Sequence, residues 1–258
     1  MKISFVQSDI YWENKKANFR KYESMLSGLK GKTDLVVLPE MFSTGFTMRA
    51  AEMAEDMYGE TMTWMRKISS EGNFGLIGSI IISDSGKYYN RLVFMKPDTS
   101  CITYDKGHLF RMEKENMFYT KGNGPVIDSF RKLNISLQIC YDLRFPVWSR
   151  NRNNAYNLLI YIANWPAARQ HVWNTLLLAR AIENQCYVLG VNRLGKDRNG
   201  IEYSGGSVLV GPRGNILASA DGPGEEVITH RIDPDELEQF REKFPVWLDA
   251  DNFNLITG

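Results

Sequence analysis

The sequence predicts a layered α/β domain built on two sheets. Short apolar runs of strand length recur along the whole chain, and several are continuous, as strands covered on both faces require. Segments with the 3.6-residue spacing of amphipathic helices lie between them. Turn signals of Gly, Pro, Asn and Asp separate some neighbouring runs closely enough for hairpins. Periodicity alone does not give the strand order. No linker, low-complexity run or composition shift divides the 258 residues. One domain over 1–258 is therefore expected, with a core to about residue 243 and a tail from 244 to 258.

Lys2 to Ser8 reads as the first strand. Asn14 to Leu29 reads as a helix, with Ala17, Phe19, Tyr22, Met25, Leu26 and Leu29 at helical spacing, and Gly31-Lys32-Thr33 breaks it. Asp34-Leu-Val-Val-Leu-Pro-Glu40 is a continuous apolar run closed by a proline and a carboxylate. Residues 41–49 read as loop, and Thr61 to Ser70 as a helix through Met62, Met65 and Ile68. Leu76 to Ile82 is a buried strand, 83–87 a hairpin turn, and Tyr88 to Met95 the returning strand. Lys96-Pro97-Asp98 turns again into a short strand, Ile102 to Lys106. Residues 107–124 hold no clean period, and a loop that long inside a compact domain is usually functional. Val126 to Phe130 pairs with Asn134 to Ile139 as a hairpin, and residues 141–146 read as a turn feeding a helix. Leu158 to Ala163 is a buried strand ending in Asn164-Trp165-Pro166. Val172 to Asn184 is helical, with Val172, Leu176, Ala179 and Ile182 on one face. Tyr187 to Asn192 and Ser204 to Val210 are strands, and Gly211-Pro212-Arg213-Gly214 turns into Ile216 to Ala220. Glu226 to Ile232 is the last core strand. Asp233, Pro234 and Glu236 open a helix that runs to Lys243.

Composition removes several classes of function. Lys plus Arg number 31 against 30 Asp plus Glu, so no charge excess points to nucleic acid or a membrane surface. No apolar run approaches the ~20 residues that cross a bilayer, and the opening Met-Lys-Ile-Ser-Phe-Val-Gln has no signal-peptide core. Cys101, Cys140 and Cys186 are far apart with no CxxC pair, as expected of a protein in a reducing cytoplasm. His108, His171 and His230 fall in no metal-ligating spacing, so no metal site is expected.

One stretch carries the chemistry. Ile135, Leu137 and Ile139 alternate with polar residues, and the strand stops at Cys140. A cysteine at such a turn can hold its sulfur exposed at the strand end, with following backbone N–H groups aimed at a developing negative charge. A lone cysteine is more often structural, so its partners decide. Glu40 and Lys106 also end apolar strands. If neighbouring strands run the same way, all three converge in one cleft. A carboxylate there takes the thiol proton, and an ammonium favours the thiolate and stabilises an oxyanion.

Three blocks, Leu38-Pro39-Glu40, Tyr104-Asp105-Lys106-Gly-His-Leu-Phe110 and Ile139-Cys-Tyr-Asp-Leu-Arg-Phe-Pro146, resemble the signatures of the nitrilase superfamily of carbon–nitrogen hydrolases. Asn164-Trp165-Pro166, Arg180-Ala-Ile-Glu-Asn184 and Gly206-Ser207, with Pro212 and Gly214 after it, match further blocks in the expected order, from Ile3 to about Asp233. The resemblance implies a four-layer αββα sandwich of two mixed sheets flanked by helices. It implies Glu40 as general base, Lys106 as the oxyanion-binding lysine and Cys140 as nucleophile, with the backbone N–H of Tyr141 as second oxyanion donor and no cofactor. A second glutamate is implied between Lys106 and Cys140. Glu113 and Glu115 compete for it, and Glu115, measured back from Gly122, fits better.

Within the superfamily, Asp105 to Met112 and Cys140 to Trp148 most resemble the omega-amidase branch, which hydrolyses the terminal amide of 2-oxoglutaramate and related 2-oxo acid amides. Such a substrate carries a carboxylate far from its amide, and a guanidinium is its best partner. Arg111 and Arg144 are the candidates. Phe42, Phe46, Phe110, Phe118 and Trp165 are candidate pocket residues, although core packing is the commoner role for any single one. An aliphatic amidase, an N-carbamoyl amino acid hydrolase and, less so, a nitrilase share the implied triad. A catalytically silent binding module is the alternative of another class. The resemblance also implies a homodimer that pairs through a helix near the cysteine and the C-terminal segment. Phe244, Val246, Trp247, Leu248, Phe253 and Leu255 make the tail more apolar than a free one needs.

Overall fold

The computed structural model describes residues 1–222 and 224–256. Its elements run, in chain order, β1 (Lys2–Gln7), α1 (Lys15–Leu26), β2 (Leu35–Val37), α2 (Ala50–Met53), α3 (Glu60–Gly72), β3 (Gly75–Asp84), β4 (Lys87–Met95) and β5 (Cys101–Asp105). They continue with α4 (Glu115–Phe118), β6 (Val126–Phe130), β7 (Leu133–Ile139), β8 (Leu158–Ala163), α5 (Gln170–Asn184), β9 (Tyr187–Asn192), β10 (Leu194–Lys196) and β11 (Glu202–Ser204). The last are β12 (Val208–Val210), β13 (Ile216–Ser219), β14 (Glu226–Arg231) and α6 (Pro234–Lys243).

Two six-stranded mixed sheets result, in the orders β14-β1-β2-β3-β4-β5 and β13-β12-β9-β8-β7-β6. Strands β1 to β3 are parallel in the first, and β7 to β9 in the second. Strand alternation explains why the central runs are apolar throughout. Leu35, Val37 and Ile77 join Leu158, Ile160 and Ile162 in the core between the sheets. Their neighbours Val36, Leu38 and Leu76 face Phe19, Tyr22, Met62 and Met65 of α1 and α3. Leu159, Tyr161 and Ala163 face Trp173, Leu177 and Ala181 of α5. The layers therefore run helix, sheet, sheet, helix, as expected. Among the described residues no helix is long and apolar enough to cross a membrane.

The run Ser204 to Val210 is not one strand. Gly205 and Gly206 take φ of 73° and 77°, a region that L side chains rarely adopt. The chain bends there. β11 leaves the sheet and pairs with β10 in a two-stranded ribbon, while β12 stays in the sheet. The aperiodic stretch 107–124 contains α4 and a 3₁₀ turn at Arg111–Glu113. The helix expected after Cys140 closes as a 3₁₀ turn, Cys140–Arg144. In the tail, Val246–Asp249 forms another such turn, Arg152 donates to the Phe253 carbonyl at 2.9 Å, and Leu255 packs against the core between the sheets.

Candidate active site

β2 and β5 point the same way in the first sheet, because two antiparallel steps, β3 to β4 and β4 to β5, restore the direction. Glu40 and Lys106 consequently emerge at one edge. β7 of the second sheet brings Cys140 to the same place, and all three line one pocket. Glu40 and Lys106 are 0 % and 1 % exposed. Lys106 Nζ donates to Glu40 Oε1 at 2.9 Å and to Glu115 Oε1 at 3.0 Å. Asn90 Nδ2 donates to the same Glu40 oxygen at 2.7 Å. The other Glu40 oxygen accepts from the backbone N–H of Asn164 at 2.8 Å, and Asn164 Nδ2 donates to the Glu40 carbonyl at 2.7 Å. Glu115 is buried on α4, and its Oε2 accepts from the Phe110 N–H at 2.6 Å. Glu113, the rival, lies on the pocket wall, and the ion pairs of Lys106 among the described residues are with Glu40 and Glu115.

Cys140 sits on a strained bend. Its φ is 46°, a conformation that costs a non-glycine residue on the order of 1 kcal/mol. Buried Asp142 holds the bend in place. Its carboxylate accepts from the Ile139 N–H at 3.0 Å, the Tyr104 hydroxyl at 2.7 Å and the His108 N–H at 2.9 Å, and lies 2.8 Å from His108 Nδ1. The His108 ring stacks on Phe145 with centroids 3.8 Å apart. The Cys140 thiol points at the Asn164 carbonyl, 3.9 Å away.

Burial raises the Cys140 thiol well above its usual range. Glu40 adds to the shift and Lys106 opposes it. Burial also raises Glu115, with Glu40 pushing the same way against Lys106. For Lys106, burial favours loss of the proton, but the carboxylates of Glu115 and Glu40 outweigh it and hold the ammonium charged. The site thus keeps a charged lysine beside a neutral thiol.

The pocket is narrow, with a cavity volume of about 30 Å³. Phe110, Tyr141, Arg144 and Trp165 line it, with Phe46, Asn164, Pro166, Arg169, Ile201 and Tyr203. The Arg144 guanidinium lies 5.3 Å over Trp165, and that of Arg169 lies 5.2 Å over Phe110. Arg111 does not reach this pocket. It lines a separate groove with His108, Asn116 and Tyr119. Phe42 packs in the core beside Tyr22 and Trp64, and Phe118 is half exposed outside the pocket.

The family model for carbon-nitrogen hydrolases matches residues 2–242. The chain belongs to the carbon–nitrogen hydrolase family. It is 43% identical over 257 residues to the omega-amidase YafV of Escherichia coli K12, covering 99% of this chain and 98% of the relative. It is 31% identical over 251 residues to the 2-oxoglutaramate amidase of Bacillus subtilis, covering 96% of each. Among solved structures, XC1258 of Xanthomonas campestris, a CN-hydrolase superfamily protein with an arsenic adduct in its active site, superposes with a TM-score of 0.96 at 38% identity. That match covers 99% of this chain and 98% of the other.

This carbon–nitrogen hydrolase acts on bonds other than peptide bonds. Several of its site residues escaped the sequence reading. Asn164 follows an apolar strand just as Glu40, Lys106 and Cys140 do, so the same rule applied to β8 finds it. Asn90 is a polar residue two positions before Leu92, on the inner face of β4 where an apolar side chain is expected. Arg169 and Tyr203 lie where no periodic pattern announces them.

Proposed function

We propose that this hydrolase removes the terminal amide of a small carboxylate-bearing amide, 2-oxoglutaramate or a near relative, as acid plus ammonia. The observation that carries the reading is the polarity of the pocket. Its buried part holds Cys140 with Glu40 and Lys106. Its more exposed walls hold Arg144 and Arg169, which form no ion pair among the described residues. A neutral amide suits the first region and a carboxylate suits the second. The identity to proteins named omega-amidase and 2-oxoglutaramate amidase supports the same substrate class.

In this reading Glu40 accepts the Cys140 proton as sulfur attacks the amide carbon. The Lys106 ammonium and the Tyr141 N–H hold the oxyanion, and losing one such donor costs on the order of 3 kcal/mol. Collapse breaks the C–N bond, and Glu40 returns the proton to the departing ammonia. Glu40 then deprotonates a water that attacks the thioester, and the acid leaves as the thiol regains its proton. Glu115 holds Lys106 in place. The carboxylate of the substrate meets Arg144 and Arg169, with Trp165 and Phe110 fixing the guanidinium planes.

The chain is further read as one domain acting as a cytoplasmic homodimer. The family match over residues 2–242 supports the first point, three unpaired cysteines the second, and exposed Phe244 and Leu248 on the tail the third.

Ammonia release tests the substrate, with Cys140→Ala as the blank. The panel is 2-oxoglutaramate, 2-oxosuccinamate, glutamine, a simple aliphatic amide and an N-carbamoyl amino acid. Fast release from the 2-oxo acid amides is expected, with KM raised about tenfold or more in Arg144→Gln. Release only from another member keeps the mechanism and overturns the substrate. If Glu40→Gln retained most of kcat/KM, the base assignment would be wrong.

A further inference from the structure

Two buried carboxylates, Glu40 and Glu115, face one ammonium, Lys106. The formal sum is −1 in a place that solvent hardly reaches. Like-charged carboxyl groups so arranged tend to share a proton, which leaves one of them neutral. Glu40 must be ionised to take the proton of Cys140, so something has to oppose that sharing.

Asn90 is the group placed to do so. It is 0 % exposed. Its Nδ2 donates to Glu40 Oε1 at 2.7 Å and reaches Glu115 Oε1 at 3.4 Å. Lys106 Nζ donates to these same two oxygens. The four groups close a ring in which two donors alternate with two acceptors. Lys106 and Asn90 each bond to both carboxylates. The Asn90 carbonyl also accepts the Lys106 backbone N–H at 3.0 Å, which fixes the position of the lysine relative to the carboxamide. The neighbouring side chain, Arg91, pairs with Asp84 and Asp105 and takes no part. The other ionisable groups facing the ring are the Cys140 thiol and the Tyr119 phenol, both held neutral by burial.

We propose that Asn90 is a positioning residue that keeps the Glu40–Glu115 pair doubly ionised and aims Glu40 at the thiol. Its carboxamide occupies the place where a shared proton would bridge the carboxylates, and it brings donors without adding charge. The proposal rests on Glu40 being the base.

The test is the pH profile of kcat/KM for Asn90→Leu, close in size but without donors, beside wild type and Glu40→Gln, on whichever amide the wild type hydrolyses. Without the carboxamide both carboxyl groups hold protons more tightly, so the acid limb moves to higher pH. A shift of about one unit is expected, with kcat down about 10- to 100-fold and KM within about twofold. Asn90→Ser, which restores a single donor, falls between and serves if the leucine variant does not fold. An acid limb at the wild-type position in a folded variant overturns the proposal, whatever activity remains. Full activity in Glu40→Gln overturns the base assignment beneath it, separately from any result at Asn90.

Discussion

The Cys140 thiol is neutral in the resting site because burial and Glu40 together outweigh the pull of Lys106. Raising the thiol's pKa means that the proton stays on past the usual range near 8.5. Under the proposed mechanism, attack on an amide then requires transfer of the proton in the same step, and Glu40, which lines the pocket with Cys140, is the carboxylate proposed to take it. The expected outcome is a 240 nm absorbance difference between wild type and Cys140→Ala with no thiolate step below about pH 9. A step near neutrality would mean a preformed thiolate–ammonium pair with Lys106. At this scale the sequence was informative where a side chain ends a strand, because strand direction then carries it to a known edge. It was uninformative for the arginines. Arg111 and Arg144 look alike in sequence, and only the 3₁₀ turns at Arg111–Glu113 and Cys140–Arg144 decide which guanidinium enters the pocket.

Among the elements, the bend at Cys140 depends most on a single buried group. Asp142 ties the end of β7 to Tyr104 of β5 and to the segment after Lys106, so one carboxylate links the Cys140 bend and the lysine across the two sheets. Tyr104 also accepts from Gly107 N–H and Trp148 Nε1, at 3.0 and 2.9 Å. Asp142→Ala strips several donors of a buried charged acceptor, where each such bond is worth about 1.5–3 kcal/mol. Stability is expected to fall by roughly 3 kcal/mol or more, read from the urea midpoint at constant slope. The loss of kcat should exceed any change in KM if Cys140 is the nucleophile, since its bend and not the pocket wall is displaced. A variant with wild-type stability and kcat would show that the bend holds itself. Elements were legible where both faces are buried, as in β2 and β8. The β10–β11 ribbon was not, since two glycines in an apparently continuous strand signal either a bulge or a break.

For the whole molecule, composition and spacing predicted a layered α/β domain on two sheets, and the four-layer order was implied by the family resemblance, because runs apolar on both faces say that a strand is covered but not by what. The role of the tail could not be read, because packing on its own domain and packing on a partner place the same demand on sequence. Leu255 packs inward, whereas Phe244 and Leu248 are exposed. Truncation after Lys243 is expected to convert a dimer to a monomer in light scattering while the circular dichroism of the sandwich persists. A truncated chain that stays dimeric would assign the contact elsewhere.

The ribbon has a consequence for how this scaffold changes its substrate. Tyr203, on β11, and Ile201, just before it, form one wall of the pocket, yet they belong to neither sheet. Arg193 anchors the root of the ribbon, with Asp9 2.6 Å from its guanidinium and the Tyr203 ring 4.6 Å below it. This wall is therefore separate in its strand pairing from the sheets that carry Glu40, Lys106 and Cys140. Replacing residues 194–204 with a relative's segment is expected to change the ratio of kcat/KM between short and long amides while the urea midpoint stays near that of wild type, because the strands that carry Glu40, Lys106 and Cys140 lie outside the exchanged segment.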